Sequence, residues 1–434
     1  MTSDLIQINV RNPLVRVVLI IFLIVGAVWS YFVVRWYLGN TFAEYFNTET
    51  NSVEAAQRAV SMAPDDPMTH WRMGQVSQKV LSLEQQAQAI GAFERAVSLS
   101  PNDYRYWMTL GIAYEQVGET AKAEYALKRA VGLAPSYAYP HWYLGNLLVR
   151  DGRYDEAFAE LRLASKAEPE FQGQVFNLAW QLYGDDSEAV KKAIGESSAT
   201  RAQFAVYLFG FKQVNEGLKF WNDMSIEDRK ANFASGESII ASLNKEHRYH
   251  DALKVWNEIT DERMRAEVGS IFDGSFEEAG SYELDTPFGW QLSSAPAVAI
   301  DIDKDKSQKG ARSLHWLFQV RSDIGPVQVT QLVPVEPQKE YEFEGYVSTD
   351  DLVSGSTPVI DILDAVEQKT IVSSPAAPRG TNKWYPVNLT FKTGESVEAV
   401  VVRVIRTSCV SKETPVCPIF GSVWYDNFSI KRRN

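Results

Sequence analysis

Cysteine is nearly absent: Cys409 and Cys417 are the only two in 434 residues. A disulfide-dense scaffold and a multi-cysteine zinc cluster are thereby excluded. Histidine is scarce too, with five residues, His70, His141, His247, His250 and His315. His247 and His250 stand beside Asp251, but no third ligand is evident, and no local histidine completes a zinc site with the cysteines. A Gly-rich phosphate loop and a nucleophile elbow are both missing. Positive charge is in deficit: 43 Lys and Arg against 55 Asp and Glu give a net charge of −12. Nucleic acid, which calls for a basic surface, is therefore not an expected partner. Asp361 and Asp364 form one of many acidic pairs in an acidic chain and do not by themselves mark glycoside hydrolysis. Asn388-Leu389-Thr390 is a glycosylation triplet of a kind frequent by chance. No enzyme and no required cofactor are expected.

Long apolar runs are lacking except for one. Val17 to Val34 carries no charge, with Arg11 and Arg16 before it and Arg35 after it. That length is about enough to cross a bilayer as a single helix. Tyr31, Phe32, Trp36 and Tyr37 follow where a cleaved signal would show small residues, and such rings suit the headgroup level. The expectation is a stub over 1–16 and an uncleaved span over 17–37; a cleaved signal is the alternative. Two arginines before the run against one after it put the N-terminus in the cytoplasm by the positive-inside rule. The bulk would then be periplasmic in a bacterial inner-membrane protein, and Cys409 with Cys417 would close a hairpin as a disulfide. Two free thiols in a reducing cytosol are the alternative.

The region from about 42 to 265 is expected to be helical, and an internal repeat organises it. Trp107-Met-Thr-Leu110-Gly111-Ile-Ala-Tyr114 is followed by Ala123, Leu127, Ala130 and Pro135. Leu144, Gly145, Ala157, Leu161, Ala164 and Pro169 repeat the pattern. So do Met73, Gly74, Ala89, Phe93, Ala96 and Pro101, with a small insertion. Ala59 and Pro64 end an earlier half-unit. This resembles the tetratricopeptide repeat, two antiparallel helices in about 34 residues. Its best stretch is 68–169. Trp71 and Trp142 stand one residue off the usual aromatic position, and His70 and His141 occupy equivalent positions, which points to packing. Ala205 with Gly217 and Trp221, then Ile240 with Ala252 and Trp256, are read as degenerate repeats. Small residues let helices approach, large ones fill the gaps, and units stack because one alone cannot bury its apolar face. The resemblance implies a groove for a protein partner.

From 271 to 432 the helical period gives way to alternation. Leu314, Trp316 and Phe318 share one face of a strand, as do Tyr341, Phe343 and Val347, and Val400, Val402 and Val404; Val423, Tyr425 and Phe428 mark the last strand. Several short strands separated by turns predict an antiparallel sandwich. The fold class is thus multidomain α plus β: one span, an all-α solenoid and a C-terminal β-sandwich. Phe272-Asp273-Gly274-Ser275-Phe276-Glu277, then Gly289-Trp290, Gly310-Ala311-Arg312-Ser313-Leu314 and Gly421-Ser422-Val423-Trp424-Tyr425-Asp426-Asn427-Phe428, resemble the jelly-roll carbohydrate-binding modules of xylanases. That resemblance implies a structural calcium, with Glu277 and Asp426 as carboxylates and carbonyls near Ser275 and Lys309 completing the shell. A solvated Glu and a turn-forming Asp are the alternative. For glycan contact, Gln328, Tyr346 and Arg403 are candidates on the concave sheet and Trp384 on a loop. Trp316 and Trp290 are read as core.

The combination points to a non-catalytic scaffold for envelope polysaccharide assembly or export. An assembly factor of a secretion or pilus machine, a glycan-active enzyme and a cytoplasmic-facing adaptor remain open.

Overall fold

A computed structural model describes residues 12–44, 53–80, 82–184, 186–278, 286–293, 295–323, 327–407 and 417–433. The chain divides into two compact units, Met1–Gly195 and Glu196–Asn434. The first contains α1 (Pro13–Glu44), α2 (Val53–Met62), α3 (Pro67–Gln78), α4 (Leu83–Leu99), α5 (Tyr104–Gln116), α6 (Thr120–Leu133), α7 (Ala138–Arg150), α8 (Tyr154–Ala167), α9 (Gln172–Tyr183) and α10 (Ser187–Ile194).

The helices pair as the repeat requires. A Cβ on Gly111 would stand 2.6 Å from Leu127, and one on Gly145 would stand 2.7 Å from Leu161, so only glycine lets α5 meet α6 and α7 meet α8 this closely. Ala123, Ala130, Ala157 and Ala164 are fully buried at the same contacts. Asp66 and Asp103 cap α3 and α5 through their side chains, satisfying free amides at the helix start. Gly118 and Gly152 take left-handed backbone after α5 and α7. The Glu119 and Arg153 amides then donate back to Tyr114 and Leu148, a helix-ending turn that glycine adopts without strain.

The helix that carries the apolar run extends beyond 17–37 at both ends. α1 continues to Glu44, and its last ten residues pack as the missing first helix of the half-unit ending at Pro64. Gly39 lies against Met62 and Ala63. Arg35 donates to the Ser61 carbonyl, and Asn40 to Asp66. Arg72 donates to the Ala43 carbonyl at 3.2 Å.

The second unit opens with α11 (Ser198–Gly210), α12 (Val214–Asn222), α13 (Ile226–Ala231), α14 (Phe233–Lys245) and α15 (Tyr249–Ile259). The degenerate repeats are real helical hairpins with altered packing. At the turn glycine's place, Lys212 and His247 hold φ of 61° and 60°, and Gln213 and Arg248 make the same backward bonds to Leu208 and Leu243. Size is reversed at one contact: Gly217 on the second helix receives Phe209 from the first.

Among the described residues ten strands follow: β1 (Gln291–Leu292), β2 (Val298–Asp303), β3 (Ser313–Asp323), β4 (Val327–Pro334), β5 (Glu340–Ser354), β6 (Val359–Asp364), β7 (Thr370–Ser373), β8 (Gly380–Lys392), β9 (Ala399–Arg406) and β10 (Pro418–Arg432). They form two antiparallel five-stranded sheets, β1-β4-β9-β6-β7 and β2-β3-β10-β5-β8. The alternating residues meet between them: Trp316, Phe318, Phe343, Val400, Val402, Val404, Val423 and Tyr425 form one core. Trp290 is buried in it, tilted against Phe276 at 5.3 Å and edge-on to Phe428 at 5.7 Å. Within this unit α15 is tied to the sandwich, with His250 Nε2 3.0 Å from the Val335 carbonyl. That contact gives His250 a structural partner.

Candidate functional site

In the helical array, the first helices of successive units run parallel. Trp71 Nε1 donates to Thr109 Oγ1 at 3.1 Å and Gln78 to Gln116 at 2.7 Å, one unit apart at both ends of α3 and α5. Arg150 pairs with Glu115 from α7 to α5. These helices present Trp71, Met108 and Trp142, none fully buried, together with polar Gln75 and Asn146. Trp142 stacks on Phe171 at 4.5 Å. Such a surface offers aromatic anchors and hydrogen-bonding groups for a peptide chain.

His70, Trp107 and His141 share one task. Each ring nitrogen faces the carbonyl of the proline six residues earlier: His70 to Pro64 at 2.8 Å, Trp107 to Pro101 at 2.8 Å, His141 to Pro135 at 2.9 Å. His141 also meets Glu160 at 2.5 Å. The ring closes the inter-unit turn, which explains why the aromatic position shifts to the next residue in two units.

In the sandwich, Glu277 and Asp426 converge on one loop between β2 and β3. Asp426 is fully buried and accepts from the Gln308 and Lys309 amides at 2.6 and 3.2 Å and from its neighbour Asn427 at 2.7 Å. Glu277 Oε1 accepts from Ala311 and Arg312 at 2.7 and 2.9 Å. Gly310, at φ +82°, is required there because a Cβ would stand 2.2 Å from the Glu277 oxygen. A register shift in β10 between Asp426 and Ser429 accompanies the arrangement, and the Phe428 amide closes onto the Gly274 carbonyl at 2.8 Å. Burial pushes the Asp426 carboxyl above the usual aspartate range; the three amides oppose this and the negative charge of Glu277 adds to it. Among the described residues neither carboxylate has a cationic side-chain partner, and no three His, Cys, Asp or Glu groups converge. Three of the four carboxylate oxygens already accept backbone amides, so a hard cation at this point would have to share them and draw its remaining ligands from Glu277 Oε2 and nearby carbonyls. Lys309 contributes its amide to Asp426, and among the described residues no hydrogen bond ties the Ser275 carbonyl to the loop.

The four glycan candidates are not brought together. Gln328 on β4 and Arg403 on β9 lie on the outer face of one sheet, where a row runs Thr330, Arg403, Asp361, Ser373 across paired strands. Arg403 donates to Asp361 at 2.7 Å and Ser373 to the same carboxylate at 2.5 Å. Tyr346 on β5 and Trp384 on β8 point from the outer face of the other sheet, opposite in sense to Val347 and Tyr385, which face the core. Trp384 is a half-buried strand residue rather than a loop residue. Asp361 is occupied by Arg403, and Asp364 accepts from the Val366 and Glu367 amides of its own turn, so this carboxylate pair has structural partners.

Sequence reading did not anticipate a stack on the second outer face. His315 lies 4.7 Å from Trp424 and nearly parallel, and its Nδ1 is 3.0 Å from Asp301. Trp424 Nε1 donates to Asp303 at 2.7 Å, and the Lys306 ammonium sits 3.4 Å over the indole. Burial lowers the Lys306 pKa. The only signal in the sequence was the parity of His315 and Trp424 on adjacent strands.

Cys417 is buried and is not a free thiol. Its expected partner, Cys409, lies outside the described residues.

Residues 81–138 match the family model of the tetratricopeptide repeat. The N-terminal unit carries tetratricopeptide repeats, and the C-terminal domain is a jelly-roll-type β-sandwich. Tetratricopeptide repeats generally mediate protein–protein interaction. Among curated proteins, the chain is similar to the tRNA nuclease WapA of Bacillus subtilis (strain 168), 26% identical over 188 residues, 41% of this chain and 8% of WapA. It is also similar to small glutamine-rich tetratricopeptide repeat-containing protein 2 of Mycosarcoma maydis, 29% identical over 91 residues, 21% of this chain and 26% of that protein. The chain thus spans less than a tenth of the length of WapA. Among solved structures, MamA 41-end from Desulfovibrio magneticus RS-1 aligns with TM-score 0.31 and 15% identity over 38% of this chain and 90% of its own. A CBM4 structure aligns with TM-score 0.28 and 12% identity over 38% of this chain and 99% of its own.

Proposed function

We propose that the chain is a non-catalytic, membrane-anchored scaffold of the bacterial periplasm. The array would hold a protein partner, and the sandwich would contact glycan in envelope polysaccharide assembly or export. The observation carrying this reading is α1. It is the one helix among the described residues long and apolar enough to cross a membrane, and none of its most apolar window is buried by protein. Outer-face polar groups in the row containing Arg403 support the glycan arm, and Gln328 stands beside them. Glu277 and Asp426, with carbonyls near Ser275 and Lys309, would hold a structural calcium that pins the first segment of the domain to its last strand.

The test uses the full chain in detergent on an array of bacterial envelope polysaccharides, beside Arg403→Ala and Gln328→Ala. Binding weakened by both substitutions is expected. Absence of binding, with co-purification of pilus or secretion components instead, would favour an assembly factor using the repeats alone. Labelling of Cys409 and Cys417 in whole cells by an impermeant thiol reagent, only after gentle reduction, is expected for a periplasmic disulfide. Labelling only after lysis would place the bulk in the cytoplasm.

A further inference from the structure

The anchoring helix also says which edge of the array faces the membrane. Asn40 meets Asp66 at the start of α3, and Ala43, three residues on, meets Arg72 six residues on. α1 therefore runs parallel to α3, as α3 does to α5. Its apolar part projects backward past the N-termini of these helices, from the edge built by the inter-unit turns at Pro64, Pro101, Pro135 and Pro169.

That edge has a composition of its own. Tyr137 and Tyr139 are 58% and 55% exposed. Tyr139 touches Phe171 of the next turn at 5.5 Å, so the rings continue from one unit to the next. Arginine recurs on the helices that lead into the turns: Arg58, Arg95 and Arg129 each stand six residues before a turn proline, and all three are exposed, while the turns themselves carry Asp65, Asp103, Glu168 and Glu170. Arg95 has only a loose ion pair to Asp65 at 3.4 Å, itself 81% exposed, and Arg129 rests over Trp107. Tyrosine favours the headgroup level of a bilayer, and guanidinium groups pair with phosphate.

We infer that this turn-bearing edge lies on the bilayer surface, with Tyr137, Tyr139 and Phe171 at the headgroups and Arg58, Arg95 and Arg129 on anionic phospholipid phosphates. The inference rests on the reading of α1 as a membrane span. The array is then held against the membrane by a continuous helix and by its own edge, not swung on a tether.

The test reconstitutes the full chain in vesicles of phosphatidylcholine and phosphatidylglycerol, with a fluorophore on Ser136→Cys, Asp151→Cys or Val28→Cys and the unsubstituted chain as background. Ser136 is in the turn edge, Asp151 is at the opposite edge, and Val28 is in α1. A headgroup nitroxide lipid is expected to quench the label at 136 severalfold more than that at 151, and an acyl-chain nitroxide to quench the label at 28. Combining Arg58→Glu, Arg95→Glu and Arg129→Glu, with helical content unchanged, should reduce quenching at 136 alone. Equal quenching at 136 and 151 with strong quenching at 28 overturns the docked edge and leaves the span intact. Absence of acyl-chain quenching at 28 overturns both.

Discussion

Replacing Asp426 by asparagine perturbs the carboxylate that organises the β2–β3 loop. One oxygen of the native group accepts two amides, Gln308 and Lys309, and the other accepts Asn427. Asparagine keeps the shape but offers one acceptor oxygen. Turned toward the loop, it retains Gln308 and Lys309 and sets its NH2 against the Asn427 amide; turned away, it loses two amides. A hydrogen bond to a charged acceptor contributes about 1.5–3 kcal/mol, and a buried donor left alone costs about 1–3 kcal/mol. Relief from burying a charge runs the other way, and the raised carboxyl shows that it outweighs the loss of the charged hydrogen bonds, so the remaining loss comes from the amide donor left unpaired. A net local loss of about 2 kcal/mol without cation follows, which is roughly 30-fold faster exchange of the loop amides. Hydrogen-exchange mass spectrometry of the segment 306–312 in the full chain reads it directly. The pH dependence has a defined sign. Because the folded carboxyl holds its proton above the usual range, the unfolded chain releases it first as pH rises. The contribution of Asp426 to the stability of the cation-free domain is therefore full below about pH 3.9 and is lost as pH climbs through the folded value. Asp426→Asn lacks that slope. Calcium, if it binds there as proposed, would reverse it by taking the ionised form; at a hundredfold excess over its dissociation constant it would add about 2.7 kcal/mol. Equal calcium-induced protection in both proteins, or loop exchange unchanged by the substitution, would refute the reasoning.

Other substitutions test the remaining parts. Lys212→Gly removes a left-handed non-glycine residue and should stabilise the α11–α12 hairpin by about 0.5–1 kcal/mol, read as a higher denaturant midpoint of the second unit. Gly111→Ala pushes a methyl onto Leu127 and should cost about 1–3 kcal/mol, seen as earlier loss of helical circular dichroism. Trp107→Phe deletes the bond to the Pro101 carbonyl and should cost about 1 kcal/mol, measured by exchange of the amides at the start of α5. Arg403→Met leaves Asp361 buried with Ser373 alone and should cost about 3 kcal/mol, most of it recovered when Asp361→Leu is added; thermal unfolding of both variants distinguishes this from simple loss of packing.

The repeat was legible because its signal is local. Gly111, Ala123 and Leu127 must meet across one hairpin, so the contact is written at fixed spacing in the sequence. The strands were legible for a similar reason, since Trp316 and Phe318 alternate with polar neighbours toward one core. The degenerate hairpins were harder because Lys212 and His247 keep the left-handed turn without glycine, and Gly217 with Phe209 reverses which helix is small. Backbone geometry survived there while its residue signature did not. The docked end of α1 was missed because an apolar run reads as one object. Gly39 and Asn40 belong to the array, yet no spacing rule separates them from the span.

The sandwich site shows the sharper limit. Alternation tells whether a side chain faces the core or solvent, but an outward residue has no mark for which of two sheets carries it. Tyr346 and Arg403 both satisfy the outward parity, and they emerge on opposite sides of the domain. Sheet membership depends on which strands pair, β5 with β10 and β9 with β6, and those partners are separated by long stretches of chain. Glu277 and Asp426 escaped this ambiguity because a resemblance supplied the long-range pairing that parity cannot: it joined the first segment of the domain to its last strand. The row Thr330–Arg403–Asp361–Ser373 arises from the same kind of pairing with no resemblance to announce it. A surface meant to recognise glycan on this domain is therefore better sought along that cross-strand row than among exposed aromatics chosen one at a time.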